Sequence, residues 1–409
     1  MRHPLTPSDT DGHPDASERL RRARRGTLPR VAATTALGLR MMFHDKPKLV
    51  GTTLGVVFAV VLAAQQLGIL FGLLQKNTMF VDNAGADIWV CPPGTNQLQP
   101  GKLLAESVLV QARATPGVRI AAPLVYGTSG IQRPWGGSEP ITLVGVDIPG
   151  APSDPLLGGP WNLVAGDPAS IAMPDAIFLE DARREKMGAV NLGSEREVNG
   201  HALTAWGFTW GLLPFAPPYA FTALERARDI LDVPAEAQHF VLVTVSEGAD
   251  PEDVAEALSA RLPETRVLTR PAFHDAIVKT LLSEQLGVTF GTSTAFGLII
   301  GFIIVALSMF SSVIDNLKEF GTLKAIGATS GDLSRLLIVQ SIAYGILGSW
   351  IGLGLVGFAA EGIRSANLAM IVPVELVVAT PVVMITLCVL ASFLALRRVR
   401  RLEPGMVFR

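Results

Sequence analysis

Four apolar runs, at residues 49–74, 287–314, 336–360 and 376–396, divide a chain whose remaining length is polar or mixed. A helix that crosses the hydrocarbon core needs about 20 predominantly apolar residues, and each run reaches that length. The runs set transmembrane helices at 48–76, 285–315, 336–360 and 376–396. Lys46 and Lys48 precede the first apolar run and Lys76 follows it, with no charge between. Gln65 and Gln66 interrupt that run. An unpaired amide in hydrocarbon is costly, so one of them is expected to face another helix; a contact with a transported substrate is the alternative.

Residues 77–284 form a hydrophilic stretch too long for a loop and of domain size. Strand-like runs occur at 86–91, 118–126, 141–146, 176–179 and 240–245, with hairpin material over 192–210 turning at Gly193 and Gly200. Helix-like runs occur at 103–114, 180–186, 221–231 and 251–262, the last with Asp250 as its N-cap. A further helix from Pro271 runs toward the second span. The fold class is an α-helical membrane protein with four transmembrane helices and a large α+β domain between the first and second.

Composition agrees with a membrane class: mean hydropathy is +0.39 and 49% of residues are apolar. The formal net charge of −2 supplies no overall field for nucleic acid. Residues 1–30 read as a disordered tail rich in Pro, Asp, Ser and Arg. Its arginines 19, 21, 22, 24 and 25 read as a topology signal, with a membrane-surface or nucleic-acid patch as the alternative. Residues 31–47 read as an amphipathic helix lying along the membrane surface, with Leu37, Leu39, Met41, Met42 and Phe43 apolar and Arg40 polar. The tail 397–409 is again basic, whereas the short loop 361–375 carries only Arg364 as a basic residue. The positive-inside rule then places both termini in the cytoplasm and 77–284 outside the inner or plasma membrane. Cys91 and Cys388 fall in different phases and are not expected to pair.

The stretch between the second and third spans, 316–335, is short and charged. Leu317, Phe320, Leu323 and Ile326 recur at helical spacing. Thr329 stands three residues before Asp332, a capping-box arrangement that restarts a helix after a turn at Gly327. A plain solvated turn is the alternative. The words Glu319-Phe320-Gly321-Thr322-Leu323-Lys324-Ala325-Ile326-Gly327-Ala328-Thr329 resemble the cytoplasmic loop of FtsX/MacB-type ABC transporter permeases. The likeness continues through Asp332-Leu333-Ser334-Arg335-Leu336-Leu337 and Gln340. Residues 39–50, L-R-M-M-F-H-D-K-P-K-L-V, resemble the segment before the first helix of DevC-like members.

The resemblance implies a coupling role toward an ATPase for Glu319, Gly321, Leu323, Lys324, Ala325, Ile326, Gly327, Ala328 and Thr329. It implies that 77–284 holds a MacB-like porter subdomain and a Sabre-like part at about 155–235. It implies a homodimer working with a separate ABC ATPase subunit that binds the ATP and Mg, and export or efflux with a periplasmic membrane-fusion adaptor. An FtsX-like regulator of cell-wall hydrolases and a lipoprotein-releasing permease are the alternatives. The chain itself lacks a fused ATPase, and its Arg-rich tail has no counterpart in the family pattern.

Catalytic chemistry is not expected in this chain, and neither is a resident cofactor. The nearest approach to a phosphate-binding loop, Pro100-Gly101-Lys102-Leu103, lacks the hydroxyl residue and the first glycine. His201, His239 and His274 have no partners at metal-ligand spacing, so no metal site is expected. Trp89, Trp135, Trp161, Trp206 and Trp210 read as packing residues, with a ligand face as the alternative. Gly287, Gly291, Gly297 and Gly301 stand where helices can approach closely, Gly291 with Ala295 and Gly297 with Gly301 at small-xxx-small spacing. They suit a homodimer seam through the first two spans or a seam within one subunit. For topology, an impermeant thiol reagent added outside the cell is expected to modify a cysteine placed at Ser138 and to spare one at Ser330. The reverse labelling pattern would reject the arrangement.

Overall fold

The computed structural model describes residues 35–151, 154–213, 217–283, 286–365 and 370–400. The tail 1–30, with its arginine cluster, and residues 401–409 lie outside the described residues, as do residues 31–34 of the expected surface helix. The chain divides into two compact units. One holds the described residues of Met1–Gln65, Ser293–Phe358 and Pro373–Arg409; the other holds those of Gln66–Thr292 and Ala359–Val372.

Helix α1 covers residues 35–44. Helix α2, Lys46–Asn83, has 38 residues and runs past the expected end at 76. At 1.5 Å per residue it is about 57 Å long, roughly twice the hydrocarbon thickness. The extension persists because its last turns bury Phe80 and Val81 in the inserted domain, with Ala84 just beyond them. The Phe80 ring meets Tyr219 at 5.2 Å, Trp161 at 5.7 Å and Trp89 at 6.0 Å between centroids. Trp89 and Trp161 are therefore packing residues, while Trp135 is 65% exposed.

The inserted domain comprises strands β1 (Ile88–Cys91), β2 (Leu104–Ala105), β3 (Val118–Gln132), β4 (Ser138–Val146), β5 (Leu163–Gly166), β6 (Ala176–Glu180), β7 (Glu195–Val198), β8 (His201–Thr209), β9 (Tyr219–Ala223), β10 (Ala237–Gln238), β11 (Phe240–Val245) and β12 (Arg266–Thr269). Helices α3 (Glu106–Arg113), α4 (Leu224–Leu231), α5 (Pro251–Arg261) and α6 (Arg270–Ser283) intervene. One sheet runs β12-β1-β11-β3-β4-β9-β6-β8-β5, with β7 joining β3 and β8. The strands within residues 155–235 occupy its β9-β6-β8-β5 end. Strand periodicity sorts side chains to two faces. Trp89, Cys91, Phe240 and Leu242 meet the Phe80 cluster. Ile88, Val90, Val241 and Val243 face Leu109 of α3 and Leu258 of α5. Val125 and Leu143 pack under Ala227 and Ile230 of α4. Both faces of the central strands are covered, so β1, β6 and β11 read as apolar runs without alternation, whereas β5 and β8 at one end alternate.

Three local expectations change. Residues 103–114 begin as β2, paired with β10, and turn helical only at Glu106. Residues 219–223 form a strand between β4 and β6, so the helix expected at 221–231 starts at Leu224. Its apolar residues fit either periodicity over so short a window. The helix expected at 180–186 shrinks to a 3-10 turn at Asp181–Arg183, and Gly188 follows at φ +92°. Asp250 caps α5 as expected, accepting from the Glu252 amide at 2.9 Å. His239 is buried and accepts from the Tyr126 amide at 3.3 Å, and burial holds its pKa below the usual value. His274 lies 3.0 Å from Asp82.

After α6, residues 284–285 lie outside the described residues. Helices α7 (Leu286–Asp315), α8 (Leu317–Ala325), α9 (Ser330–Ser365) and α10 (Val374–Arg400) complete the chain. Among the described residues four helices are long and apolar enough to span: α2, α7, α9 over Ser330–Gly362, and α10 over Val374–Leu394. Cys91 and Cys388 are both buried free thiols.

Glu180 is a buried charge at the end of β6, 0% exposed. Its carboxylate accepts from the Gly211 amide at 2.7 Å, the Leu212 amide at 3.0 Å and Thr209 Oγ1 at 3.1 Å. Burial raises its pKa above 4.5, and the three donors pull the other way. Between 4.5 and the raised value the folded chain keeps a proton that the unfolded chain has lost. Stability attributable to this group therefore falls as pH rises through that window. The stability difference, parent minus Glu180→Gln, is expected to decrease with rising pH from 4.5 upward. Denaturant unfolding of the full chain across this range, followed by tryptophan fluorescence, checks it; a flat or rising difference refutes it.

Candidate functional site

The reversal between α7 and α9 closes its hydrogen bonds at the end of α8 and the start of α9, whereas the start of α8 at Asn316 carries no side-chain cap. Helix α7 ends at Asp315, and Asn316 turns the chain at φ −93°, ψ 20°. Helix α8 then runs for 9 residues. It ends in a Schellman motif. The Ala328 amide donates to the Leu323 carbonyl at 2.9 Å and the Gly327 amide to the Lys324 carbonyl at 3.2 Å. Gly327 stands at φ +104°, a conformation that a β-carbon would strain. Helix α9 begins immediately after. Thr329 Oγ1 accepts from the Asp332 amide at 3.2 Å, and the Asp332 carboxylate accepts from the Thr329 amide at 3.0 Å. That is a reciprocal capping box.

Helix α8 is held by its inner face. Phe320 is 1% exposed and Gly321 is buried. Glu319, Thr322, Ala325 and Thr329 are exposed, while Leu323, Lys324 and Ala328 are half-buried. Ile326 is 85% exposed, a bare aliphatic side chain at the tip of a fixed turn. The candidate coupling residues thus form one continuous surface segment, but its apolar content outside is mostly Ile326.

Polar ties anchor the surrounding helices. Lys48 Nζ lies 2.6 Å from Asp45 and 3.1 Å from Asp315, joining the start of α2 to the end of α7. The hydrogen bond from Lys48 holds the Asp45 carboxyl below its usual pKa. Thr52 and Ser308 share a hydrogen bond one turn further in. Gln340 donates to the Gly38 carbonyl at 3.1 Å, fixing α1 on α9.

The glycines on α7 divide. A β-carbon on Gly301 would run into Ala59 of α2, and one on Gly297 would come within 3.3 Å of Leu62. These two face a seam within the subunit. Gly291 faces open space, and Gly287 lies against the Leu282 carbonyl. Further glycine contacts lie elsewhere. Gly348 and Gly352 of α9 pack on Val56 and Val60 of α2, and a β-carbon on Gly345 would come within 2.9 Å of Ile385 of α10. The spacing of Gly348 and Gly352 is a readable signal. The Lys48–Asp315 pair, 267 positions apart in the chain, has none.

The FtsX-like permease C-terminal family model matches residues 291–404, and the MacB-like periplasmic core domain model matches residues 49–261. An uncharacterized ABC transporter permease of Mycobacterium tuberculosis is 26% identical over 366 residues, 87% of this chain and 93% of the relative. An uncharacterized ABC transporter permease of Methanocaldococcus jannaschii is 31% identical over 138 residues, 31% of this chain and 33% of the relative. The chain therefore matches a third of the archaeal protein's length and nearly all of the mycobacterial one. The crystal structure of the periplasmic region of MacB from Actinobacillus actinomycetemcomitans aligns with a TM-score of 0.33 and 11% identity, over 51% of this chain and 99% of that one. The chain belongs to the FtsX/MacB-like permeases of ABC transporters. It is a multi-pass, non-catalytic permease subunit, and the α+β insertion is its extracytoplasmic domain.

If the α7 seam is intramolecular, Gly301→Val should overpack it and lower the stability of the full chain by about 1–3 kcal/mol. Gly291→Val should change stability by less than about 0.5 kcal/mol. Thermal unfolding in detergent checks the pair, and equal effects would contradict the assignment.

Proposed function

We propose that the chain is the membrane subunit of an ATP-driven complex, with a separate ATPase docking on Glu319–Thr329. ATP and Mg belong to that partner. The observation that carries the reading is Ile326, 85% exposed at a turn held by the Schellman bonds of α8 and the capping box of α9. A large aliphatic side chain held in water at a rigid tip suits insertion into an apolar groove. Leu323 lies beside it, half-buried, and Glu319 and Lys324 supply rim charges.

The mechanism is mechanical. Closure of the ATPase pulls on α8, whose root at Asp315 is ion-paired to Lys48 at the start of α2. Helix α2 continues without a break to Phe80 and the aromatic core of the extracytoplasmic domain. The porter part and the Sabre-like part at about 155–235 move in response, and the output is export or efflux with a periplasmic adaptor. The working unit is a homodimer in the cell membrane, with both termini cytoplasmic. Gly297 and Gly301 are engaged within the subunit, so the dimer uses other faces of the first two spans.

Burying Ile326 contributes roughly 1.5–3 kcal/mol to docking, whereas an exposed ion pair contributes under about 1 kcal/mol. Ile326→Asp should therefore abolish stimulation of the ATPase in the reconstituted complex, and Lys324→Ala should weaken it only a few-fold. If Ile326→Asp inserts, folds and stimulates like the parent, the segment is a turn and the docking role fails.

A further inference from the structure

A cleft of about 600 Å³ opens beside α8, lined by residues of α1, the α1–α2 junction and the α7–α8 turn. Its charged groups are of both signs. Arg40 and Lys46 bring two permanent cations and His44 an imidazole, while Asp45 and Glu319 bring carboxylates. Asp45 is already taken up by Lys48 at 2.6 Å. Arg40, Lys46 and Glu319 make no ion pair with one another or with any other described residue. Two cations and one carboxylate around one cavity, without ion-pair partners among the described residues, are complementary to a zwitterion.

The apolar surroundings say what kind. Lys46 lines the cleft, and Val50, Leu54 and Phe58 follow it at four-residue intervals along α2, all exposed. Residues at i and i+4 share a helix face, so an apolar stripe leads from the cleft into the span. Phe43 of α1 is exposed as well. A polar cleft continuous with an apolar stripe on a membrane helix is the shape of a phospholipid site, with head and tail served separately. We infer that the cleft binds a phospholipid with a primary-amine headgroup, its phosphate on Arg40 and Lys46 and its ammonium on Glu319, an acyl chain lying along Val50, Leu54 and Phe58. Glu319 also belongs to the proposed docking segment, so an occupied cleft sets a lipid amine at the edge of that surface. The binding itself does not depend on the docking reading.

The test is native mass spectrometry of the full chain in detergent, with equimolar phosphatidylethanolamine, phosphatidylglycerol and phosphatidylcholine of identical acyl chains. Phosphatidylethanolamine should be retained about three- to five-fold over either of the others, the range of one exposed charge pair. Glu319→Gln should bring its retention down to that of phosphatidylcholine. The double variant Arg40→Gln, Lys46→Gln should lower retention of all three phospholipids. Each comparison is a ratio of lipids on a single preparation, so partial unfolding lowers all signals without moving the ratio. Excess soluble glycerophosphoethanolamine should fail to displace the lipid, because it lacks the acyl chain. Equal retention of the three lipids, a preference for phosphatidylglycerol, or a ratio unmoved by Glu319→Gln would overturn the inference. Displacement by the soluble headgroup would overturn the assignment to lipid.

Discussion

Inside hydrocarbon no water is available to a backbone amide or carbonyl, so every one must be paired within its own helix. The organisation of this chain depends on that constraint. Helices α2, α7 and α9 meet it by length, and α10 does so except at Pro381, which has no amide to donate. The chain reverses between α7 and α9 outside the apolar runs, where irregular backbone is permitted. Even there few polar groups are left to solvent: the Schellman bonds at Gly327 and the Thr329–Asp332 box close the ends of α8 and α9. The turn at Gly327–Thr329 is thus held by bonds within the chain on both of its sides. It can therefore present Ile326 in a fixed place.

Lipid supplies no hydrophobic force between helices, so association rests on close packing and buried polar contacts. Glycines on α7 and α9 admit the side chains of α2: Ala59 and Leu62 against Gly301 and Gly297, Val56 and Val60 against Gly348 and Gly352. Helix α2 is thus enclosed on two sides by backbone-close contacts. Toward its start, the Lys48–Asp315 ion pair and the Thr52–Ser308 hydrogen bond add polar contacts near the membrane edge. The same helix ends among aromatic rings in the extracytoplasmic domain.

The extracytoplasmic domain solves a different problem. Its sheet carries apolar side chains on both faces and covers them with α3, α5 and α4 and with the end of α2. Two-sided burial leaves Glu180 and His239 inside, each satisfied by backbone donors: Gly211 and Leu212 for the carboxylate, Tyr126 for the imidazole. A buried charge without such donors would be strongly destabilising, so the loop at 209–212 and the end of β6 must fold together.

The four spans, the insertion between the first two, and the capped reversal at 316–335 could be read along the chain. These follow from long apolar runs and from contacts between residues three to five apart, which a linear reading captures. Asp250 and the Thr329–Asp332 box were legible for the same reason. Other features were decided only by tertiary structure. Residues 219–223 became a strand because β4 and β6 flank them, and no local periodicity contains that fact. The helix of the first span lengthened to Asn83 because Phe80 found an aromatic core made from residues up to 193 positions away. Gly297 and Gly301 had the spacing of a close-packing seam, but which helix they met was open until Ala59 and Leu62 filled it. Lys48 and Asp315 stand at the ends of two runs far apart in the chain. Only the folding of α2 against α7 brought them within 3.1 Å and made a joint of them.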